Sequence, residues 1–108
     1  MRIREQVRLK HIVEEFRAGL LDDKASAGWC FMVSSALGGY LGFLGYSCIL
    51  TKGELDLGED VAEHFWLTLP DGTIIDGTSD QFKQPGGQDM PPVFIGIKPA
   101  WYKEVKRE

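Results

Sequence analysis

The sequence predicts an α+β domain in which two helices come before several short strands. Apolar residues recur at helical spacing from Ile3 to Leu20, and the uncharged run from Ala25 to Thr51 indicates a second helix. The segments HFWLTL and TIID then alternate apolar and polar residues as strands do, with turn residues between them. At 108 residues the chain is expected to form one domain, residues 1–108, around one core.

The N-terminal helix is predicted to be amphipathic, because its apolar positions form one stripe while Arg, Lys and Glu fill the other positions. We expect it to end near Gly19, with His11 among the charged residues at the surface. The predicted stripe consists of Ile3, Val7, Leu9, Ile12, Val13, Phe16 and Leu20.

The second predicted helix carries a cysteine near its start. Asp22, Asp23 and Ser26 can accept hydrogen bonds from the amides of a helix N-terminus, which places Cys30 in the first turn. Because the run has no charge, we expect this helix to be buried on all sides and to end near Gly45. A membrane-spanning helix is the alternative, since GGYLG has small-xxx-small spacing, but the serines and glycines of the run favour the buried helix.

Short strands and loops are expected after the second helix. A strand is predicted from Ser47 to Thr51, then a loop over KGELDLGED, then the hairpin formed by HFWLTL and TIID. The segment KQPGGQDMPP consists of turn residues, and another strand is predicted from Val93 to Ile97. The chain is expected to finish in a charged tail that contains Trp101 and Tyr102.

The turn sequence PDG determines which residues of the hairpin face each other. A three-residue loop pairs Leu69 with Thr73, because Pro fixes the first turn angle and Gly takes the left-handed position. Asp76 then lies opposite Trp66, and His64 shares their face as a diagonal neighbour of Asp76. Diagonal residues stand about 7–8 Å apart at the backbone, so an imidazole and a carboxylate can meet. A two-residue loop, DG, would instead send His64 and Asp76 to opposite faces.

Cys30 is the candidate nucleophile to go with this pair. A helix N-terminus and a nearby imidazolium both lower the pKa of a thiol, which makes it a better nucleophile. If the second helix packs across the sheet face that bears His64, then Cys30, His64 and Asp76 form a Cys-His-Asp triad. The alternatives are a buried, inert Cys30 with a structural histidine, and a zinc site, although no CxxC or HxxxH spacing is present. Cys48 is expected in the core.

Composition excludes several classes of function. With 12 Lys and Arg against 16 Asp and Glu, the formal charge of −4 gives no basic surface for nucleic acid. Two cysteines and a start, MRIREQVRLK, without an apolar signal core indicate free thiols in the cytoplasm. No cofactor, metal or membrane partner is expected.

The order AGWCFMVSSAL, EHFWLTLPDG and IIDGTSDQF resembles the papain-like and transglutaminase-like cysteine superfamily. In that superfamily the Cys starts the central helix, and His and Asp follow on adjacent strands. The resemblance covers Ala27 to Phe82, and H-x-W with D-G-T-x-x-Q-F is its more specific part. The pattern is also similar to small hypothetical proteins of phage and bacterial genomes.

The resemblance implies a minimal version of the papain-like fold, with an N-terminal helix and a central helix packed on a small antiparallel sheet. It makes Cys30 the nucleophile, His64 the general base and acid, and Asp76 the residue that orients the imidazole. Papain-like peptidases place an oxyanion-hole Gln about six residues before the Cys, where this chain has Lys. The oxyanion donors therefore stay open among backbone amides at Cys30 and a neighbour, Trp29 and Gln81.

The function expected from these features is hydrolysis of an amide through a thioester on Cys30, by a peptidase, an amidase or a glutamine deamidase. The expected partner is a protein or peptide substrate. A transglutaminase or another acyltransferase shares the same intermediate, and an arylamine N-acetyltransferase has the same triad order in a much larger chain. The rival class is a non-catalytic module of the same fold that binds a partner protein.

Overall fold

The computed structural model describes residues 2–21, 30–58, 61–81 and 89–104 of the chain. In this part, all strands pair antiparallel in one sheet, and the helices and sheet give the α+β fold that the sequence predicts. The elements are helices α1 (Ile3–Leu21) and α2 (Cys30–Phe43), strands β1 (Ile49–Asp56), β2 (Val61–Thr68) and β3 (Thr73–Asp76), a short 3-10 helix (Ser79–Gln81), and strands β4 (Phe94–Ile97) and β5 (Tyr102–Glu104). The order of the strands across the sheet is β4-β3-β2-β1-β5.

Helix α1 buries only the middle of its predicted apolar stripe. Leu9 and Val13 are completely buried, whereas Ile3 and Val7 are exposed, so the prediction is wrong for the first turns. The residues that α1 packs against α2 and β4 come from its central turns, where Leu9 and Val13 are joined by the partly buried Ile12 and Phe16. The helix also continues past Gly19, because one glycine inside a helix costs only about 1 kcal/mol.

Helix α2 is buried on one face and open on the other, so the prediction that it is buried on all sides is wrong. Phe31 and Phe43 are 54% and 87% exposed, because α2 lies over one face of the sheet with its outer side uncovered. No helix among the described residues is long and apolar enough to cross a membrane. The buried positions follow helical spacing and are Val33, Ser34, Leu37 and Leu41.

The end of α2 is a glycine cap. Gly45 adopts a left-handed φ of 99°, and the helix proper ends shortly before it, at Phe43. The amide of Tyr46 donates to the carbonyl of Leu41 over 2.9 Å, and the amide of Gly45 donates to the carbonyl of Gly42 over 3.1 Å. These two bonds are those of a Schellman motif, which satisfies carbonyls at the helix end and turns the chain toward β1.

The two faces of the sheet carry separate apolar clusters. Alternation along β2 sends Leu67 to the face that the helices cover and Trp66 to the opposite face. The helix-side cluster comprises Leu9, Val13, Leu37, Leu41, Leu67, Leu69, Ile75 and Val93. The cluster on the opposite face comprises Leu55, Trp66, Ile74 and Tyr102.

The sheet curls around the second cluster until its two edges come near each other. Phe94 of β4 and Tyr102 of β5 belong to opposite edge strands, yet their ring centroids are only 6.4 Å apart. Tyr102 also stacks edge-on against Trp66 of the central strand, with centroids 5.2 Å apart. The face opposite the helices is therefore the concave interior of the curled sheet.

Strand β1 is longer than the sequence indicates. The expected loop over KGELDLGED is wrong for its first five residues, which continue the strand to Asp56. Its inward positions Thr51, Gly53 and Leu55 are buried, and the glycine that suggests a loop is required by packing. A side chain at Gly53 would collide with the Trp66 indole and with the carbonyl of Lys103.

The expected charged tail is also partly wrong, because Tyr102 begins strand β5. The amide of Tyr102 donates to the carbonyl of Pro99 over 3.0 Å, and the amide of Asp56 donates to the carbonyl of Trp101 over 2.8 Å. These bonds turn the chain back along the free edge of β1, where Tyr102 pairs with Leu55. The pairing buries Tyr102 in the concave cluster.

Replacing Gly53 with Ala is expected to lower the free energy of unfolding by about 1–3 kcal/mol, because Trp66 and the Lys103 backbone must move to admit a methyl group. The matched control is Gly39→Ala on the open side of α2, where nothing lies within 4 Å of the added carbon. That change should stabilise the protein by up to about 1 kcal/mol. Denaturant unfolding measures both, and equal effects would contradict the packing of β1.

Candidate active site

The hairpin has the register that a three-residue loop predicts. The amide of Leu69 donates to the carbonyl of Thr73 over 2.8 Å, and Gly72 takes a left-handed φ of 88°. Leu67 pairs with Ile75, so Asp76 stands opposite Trp66. The alternative two-residue loop is excluded, and His64 and Asp76 share the concave face.

His64 and Asp76 form a direct hydrogen bond in the interior. Nε2 of His64 lies 2.6 Å from Oδ2 of Asp76, and both side chains are completely inaccessible to solvent. A diagonal pair on one face of an antiparallel ladder allows this contact. Because Nε2 contacts Asp76, Nδ1 is the ring nitrogen that serves a group on the other side of the imidazole.

Four donors surround the carboxylate of Asp76. Its Oδ1 accepts from the amide and the hydroxyl of Thr78, over 3.0 Å and 3.4 Å. Its Oδ2 accepts from the hydroxyl of Tyr102 over 2.7 Å, in addition to the contact with His64. A buried carboxylate is costly unless such bonds replace its hydration, so this set of donors keeps Asp76 fixed in one orientation.

The turn after Asp76 is fastened to two other parts of the fold. Arg17 of α1 forms an ion pair with Asp80 at 2.7 Å, with only about a fifth of the Arg17 side chain exposed. The hydroxyl of Ser79 donates to the carbonyl of Pro91 over 2.5 Å. These contacts hold the turn that places Thr78 against the carboxylate of Asp76.

Cys30 reaches His64 past the end of a strand. The expectation that α2 packs across the face bearing His64 is wrong, since α2 covers the opposite face, where Leu37 joins Leu67. One more rung of the β2–β3 ladder would pair Phe65 with Gly77, but β3 ends at Asp76. The start of α2 occupies the edge left open there.

The backbone of Phe65 shows how α2 takes the place of the missing strand. The hydroxyl of Ser34 donates to the carbonyl of Phe65 over 3.2 Å, and the amide of Phe65 lies against the sulfur of Cys30. Both groups of Phe65 would belong to the ladder if β3 were longer. Cys30 is thus positioned in the plane of the sheet, where the imidazole of His64 can meet it from the concave side.

The pKa of Cys30 is lower than that of an ordinary thiol. Burial is the largest single influence and raises the pKa of this half-buried group, but a hydrogen bond from His64, the charge of the imidazolium and two backbone amides together lower it by more. These amides are those of Phe65 and Phe31, and the amide of Phe31 is available because it lies in the first turn of α2, where amides have no helical partner. These donors favour the thiolate.

The pKa of His64 is raised to about 9. Burial lowers it, but the hydrogen bonds from His64 to Asp76 and to Cys30, with the negative charges of both groups, raise it by more. The thiolate and the imidazolium therefore favour each other. Their ion pair forms as the pH rises through the lowered pKa of Cys30 and is lost as the pH rises through the pKa of His64, about 9.

The structure brings Cys30, His64 and Asp76 together as the sequence predicts, while two weaker candidates are not described. Trp29 and the side chain of Gln81 lie outside the described residues. Among the described residues, no group of His, Cys, Asp and Glu is arranged to hold a metal ion.

The remaining histidine lies at the surface as predicted, whereas Cys48, expected in the core, is only partly buried at its margin. His11 is exposed on α1, and Cys48 is half-buried against the helix-side cluster. Sequence reasoning did not assign Tyr102 to the site. Tyr102 follows its partner Asp76 by 26 residues in the chain. The sequence signal that could have indicated it is its position next to Trp101 in a charged segment.

Comparison of this chain with protein-family models, curated proteins and solved structures found no match. The assignment of these residues to a site therefore depends on the geometry of this chain.

Cys30 is expected to react with iodoacetamide at pH 7 at least about tenfold faster than Cys48. The two thiols are half-buried alike, but burial alone acts on Cys48 and raises its pKa, whereas His64 lowers that of Cys30. Peptide mass spectrometry gives both rates in one sample. His64→Ala should slow Cys30 and leave Cys48 unchanged, which also shows that the fold persists. Equal rates in the wild type would contradict the assignment of Cys30.

Proposed function

We propose that this protein is a cysteine-dependent amide hydrolase that works through a thioester on Cys30. The observation that carries the proposal is the continuous chain of contacts from the Cys30 thiol to the imidazole of His64 and on to the buried carboxylate of Asp76. A structural histidine needs one partner, whereas a nucleophile needs a base with an orienting group behind it. The resemblance to papain-like and transglutaminase-like enzymes supports the same roles.

In the first step, the thiolate of Cys30 attacks the carbonyl carbon of the amide, and the carbonyl oxygen becomes an oxyanion. The amides of Phe31 and Phe65 already lie against the sulfur, so they are the donors we assign to this oxyanion. Both belong to regular elements, one to the first turn of α2 and the other to β2, which keeps them oriented before the reaction.

In the second step, the imidazolium of His64 gives its Nδ1 proton to the leaving amine, and the C–N bond breaks to leave a thioester on Cys30. The neutral imidazole then takes a proton from water, and the resulting hydroxide attacks the thioester. Collapse of that intermediate releases a carboxylic acid and restores the thiolate and the imidazolium. Asp76 holds Nε2 throughout, so the ring keeps the orientation that both proton transfers require.

Hydrolysis is favoured over transfer to an amine because the site is open. Cys30 is half-buried, and the neighbouring Phe31 is more than half exposed, so water has access to a thioester. We assign a protein or peptide substrate whose reacting group is a peptide bond or a glutamine side chain. A free thiol of this kind persists in the reducing cytoplasm, where we place the protein.

A generic acyl donor tests the proposal without knowledge of the natural substrate. Incubation with p-nitrophenyl acetate should transfer one acetyl group to Cys30, detected by mass spectrometry, with a burst of nitrophenolate. Cys30→Ser should lose at least about a thousandfold in the rate, whereas the matched control Cys48→Ser should behave as the wild type. Acetylation of Cys48 alone, or of neither thiol, would favour the non-catalytic binding module.

Asp76→Asn is expected to reduce the rate of acylation by about 10²- to 10⁴-fold. An amide nitrogen in place of Oδ2 would face the donors His64 and Tyr102, so the imidazole would move its proton to Nδ1 and could no longer accept one from Cys30. Thermal unfolding serves as the control for folding. A folded Asp76→Asn variant with the wild-type rate would contradict the role of Asp76.

A further inference from the structure

The hydroxyl of Tyr102 forms a hydrogen bond to the same carboxylate oxygen that the imidazole of His64 contacts. It donates to Oδ2 of Asp76 over 2.7 Å, while Nε2 of His64 lies 2.6 Å from that oxygen. We propose that Tyr102 is a positioning residue that acts through Asp76: its hydroxyl shares Oδ2 with His64 and so limits how strongly the carboxylate holds the imidazole proton. The consequence of this contact for catalysis rests on the proposed function, but the contact itself does not.

The ring of Tyr102 is held on several sides, so its hydroxyl has a fixed target. The side chain is 1% exposed and contacts both Trp66 and Trp101, with centroid distances of 5.2 Å and 4.6 Å. Its backbone is fixed by pairing with Leu55 of β1. A ring that cannot turn away keeps the donor on Oδ2 whether or not His64 carries its second proton.

The chemistry follows from two donors that share one acceptor oxygen. A hydrogen bond to a carboxylate stabilises its negative charge and weakens its attraction for a second donor. Burial and the charge of Asp76 raise the pKa of the Tyr102 hydroxyl, so Tyr102 remains a donor at every pH at which the enzyme works. Without this donor, the full charge of Oδ2 would act on His64 and the imidazolium would release its proton less readily to a leaving amine.

The polar groups around His64 come from three elements. Among the described residues, α2 contributes Cys30, β3 contributes Asp76, and β5 contributes Tyr102. Strand β1 places Gly53 beside His64, and beyond it on β5 stands Glu104, which is exposed to solvent. Tyr102 therefore donates to Oδ2 of Asp76, the oxygen that His64 contacts, whereas Thr78 donates to Oδ1.

The test is an NMR titration of the His64 imidazole in the wild type and in Tyr102→Phe. Phenylalanine fills the same space, so a purely structural role for the hydroxyl predicts an unchanged titration. We expect the pKa of His64 to rise by about one unit when the hydroxyl is removed. The matched control is Tyr40→Phe, because Tyr40 stacks on Phe16 away from the site and should cause no shift.

Incorporation of 3-fluorotyrosine provides a second test that does not depend on whether Tyr102→Phe folds. Replacing all tyrosines with 3-fluorotyrosine makes the phenol more acidic and a stronger donor, which should lower the pKa of His64. An unchanged or oppositely shifted pKa in either experiment would overturn the role of Tyr102. Both measurements need no substrate, so the predicted shifts without acylation of Cys30 would refute the amide hydrolase and leave the positioning role intact.

Discussion

The buried carboxylate of Asp76 is the group on which the rest of the site depends. A charge removed from water costs several kcal/mol unless donors replace its hydration, and here the donors come from three separate parts of the chain. They are His64 on β2, Thr78 in the turn after β3, and Tyr102 on β5. The sheet must curl to bring β5 to β3, so the same interaction that orients the imidazole also fixes the shape of the sheet.

The curl depends in turn on packing inside the concave face. Trp66 lies over Gly53, and Tyr102 lies edge-on against Trp66, so the absence of a side chain at Gly53 makes room for the ring that supports Tyr102. The opposite face of the sheet packs against α2. Since β3 stops at Asp76, the first turn of α2 can take its place beside β2 and present Cys30 to His64. Cys30 from the helix side and His64 from the concave side therefore meet beyond the end of β3.

The sequence predicts the parts of the site that local rules govern. The PDG turn fixes the register of the hairpin, which places Asp76 beside His64, and the start of an uncharged run indicates the start of the helix at Cys30. The contacts that Gly53 and Tyr102 make with distant segments could not be predicted. Gly53 and its charged neighbours have the composition of a loop, but they pair with β2 and β5 as a strand, and the indole of Trp66 explains why position 53 is a glycine. The role of Tyr102 could not be predicted for the same reason, because no spacing rule relates it to a carboxylate 26 residues earlier.

We infer that Cys30 and His64 form an ion pair near neutral pH, and the ultraviolet absorbance of the thiolate provides a direct test. Wild type and Cys30→Ser are compared while the pH is lowered, with unfolding monitored in parallel. We expect the wild type to keep the absorbance of one thiolate well below about pH 8.5, the ordinary pKa of a thiol, and Cys30→Ser to lack it. A thiolate signal that appears only near that pH, or that remains in Cys30→Ser, would show that His64 does not stabilise a Cys30 thiolate.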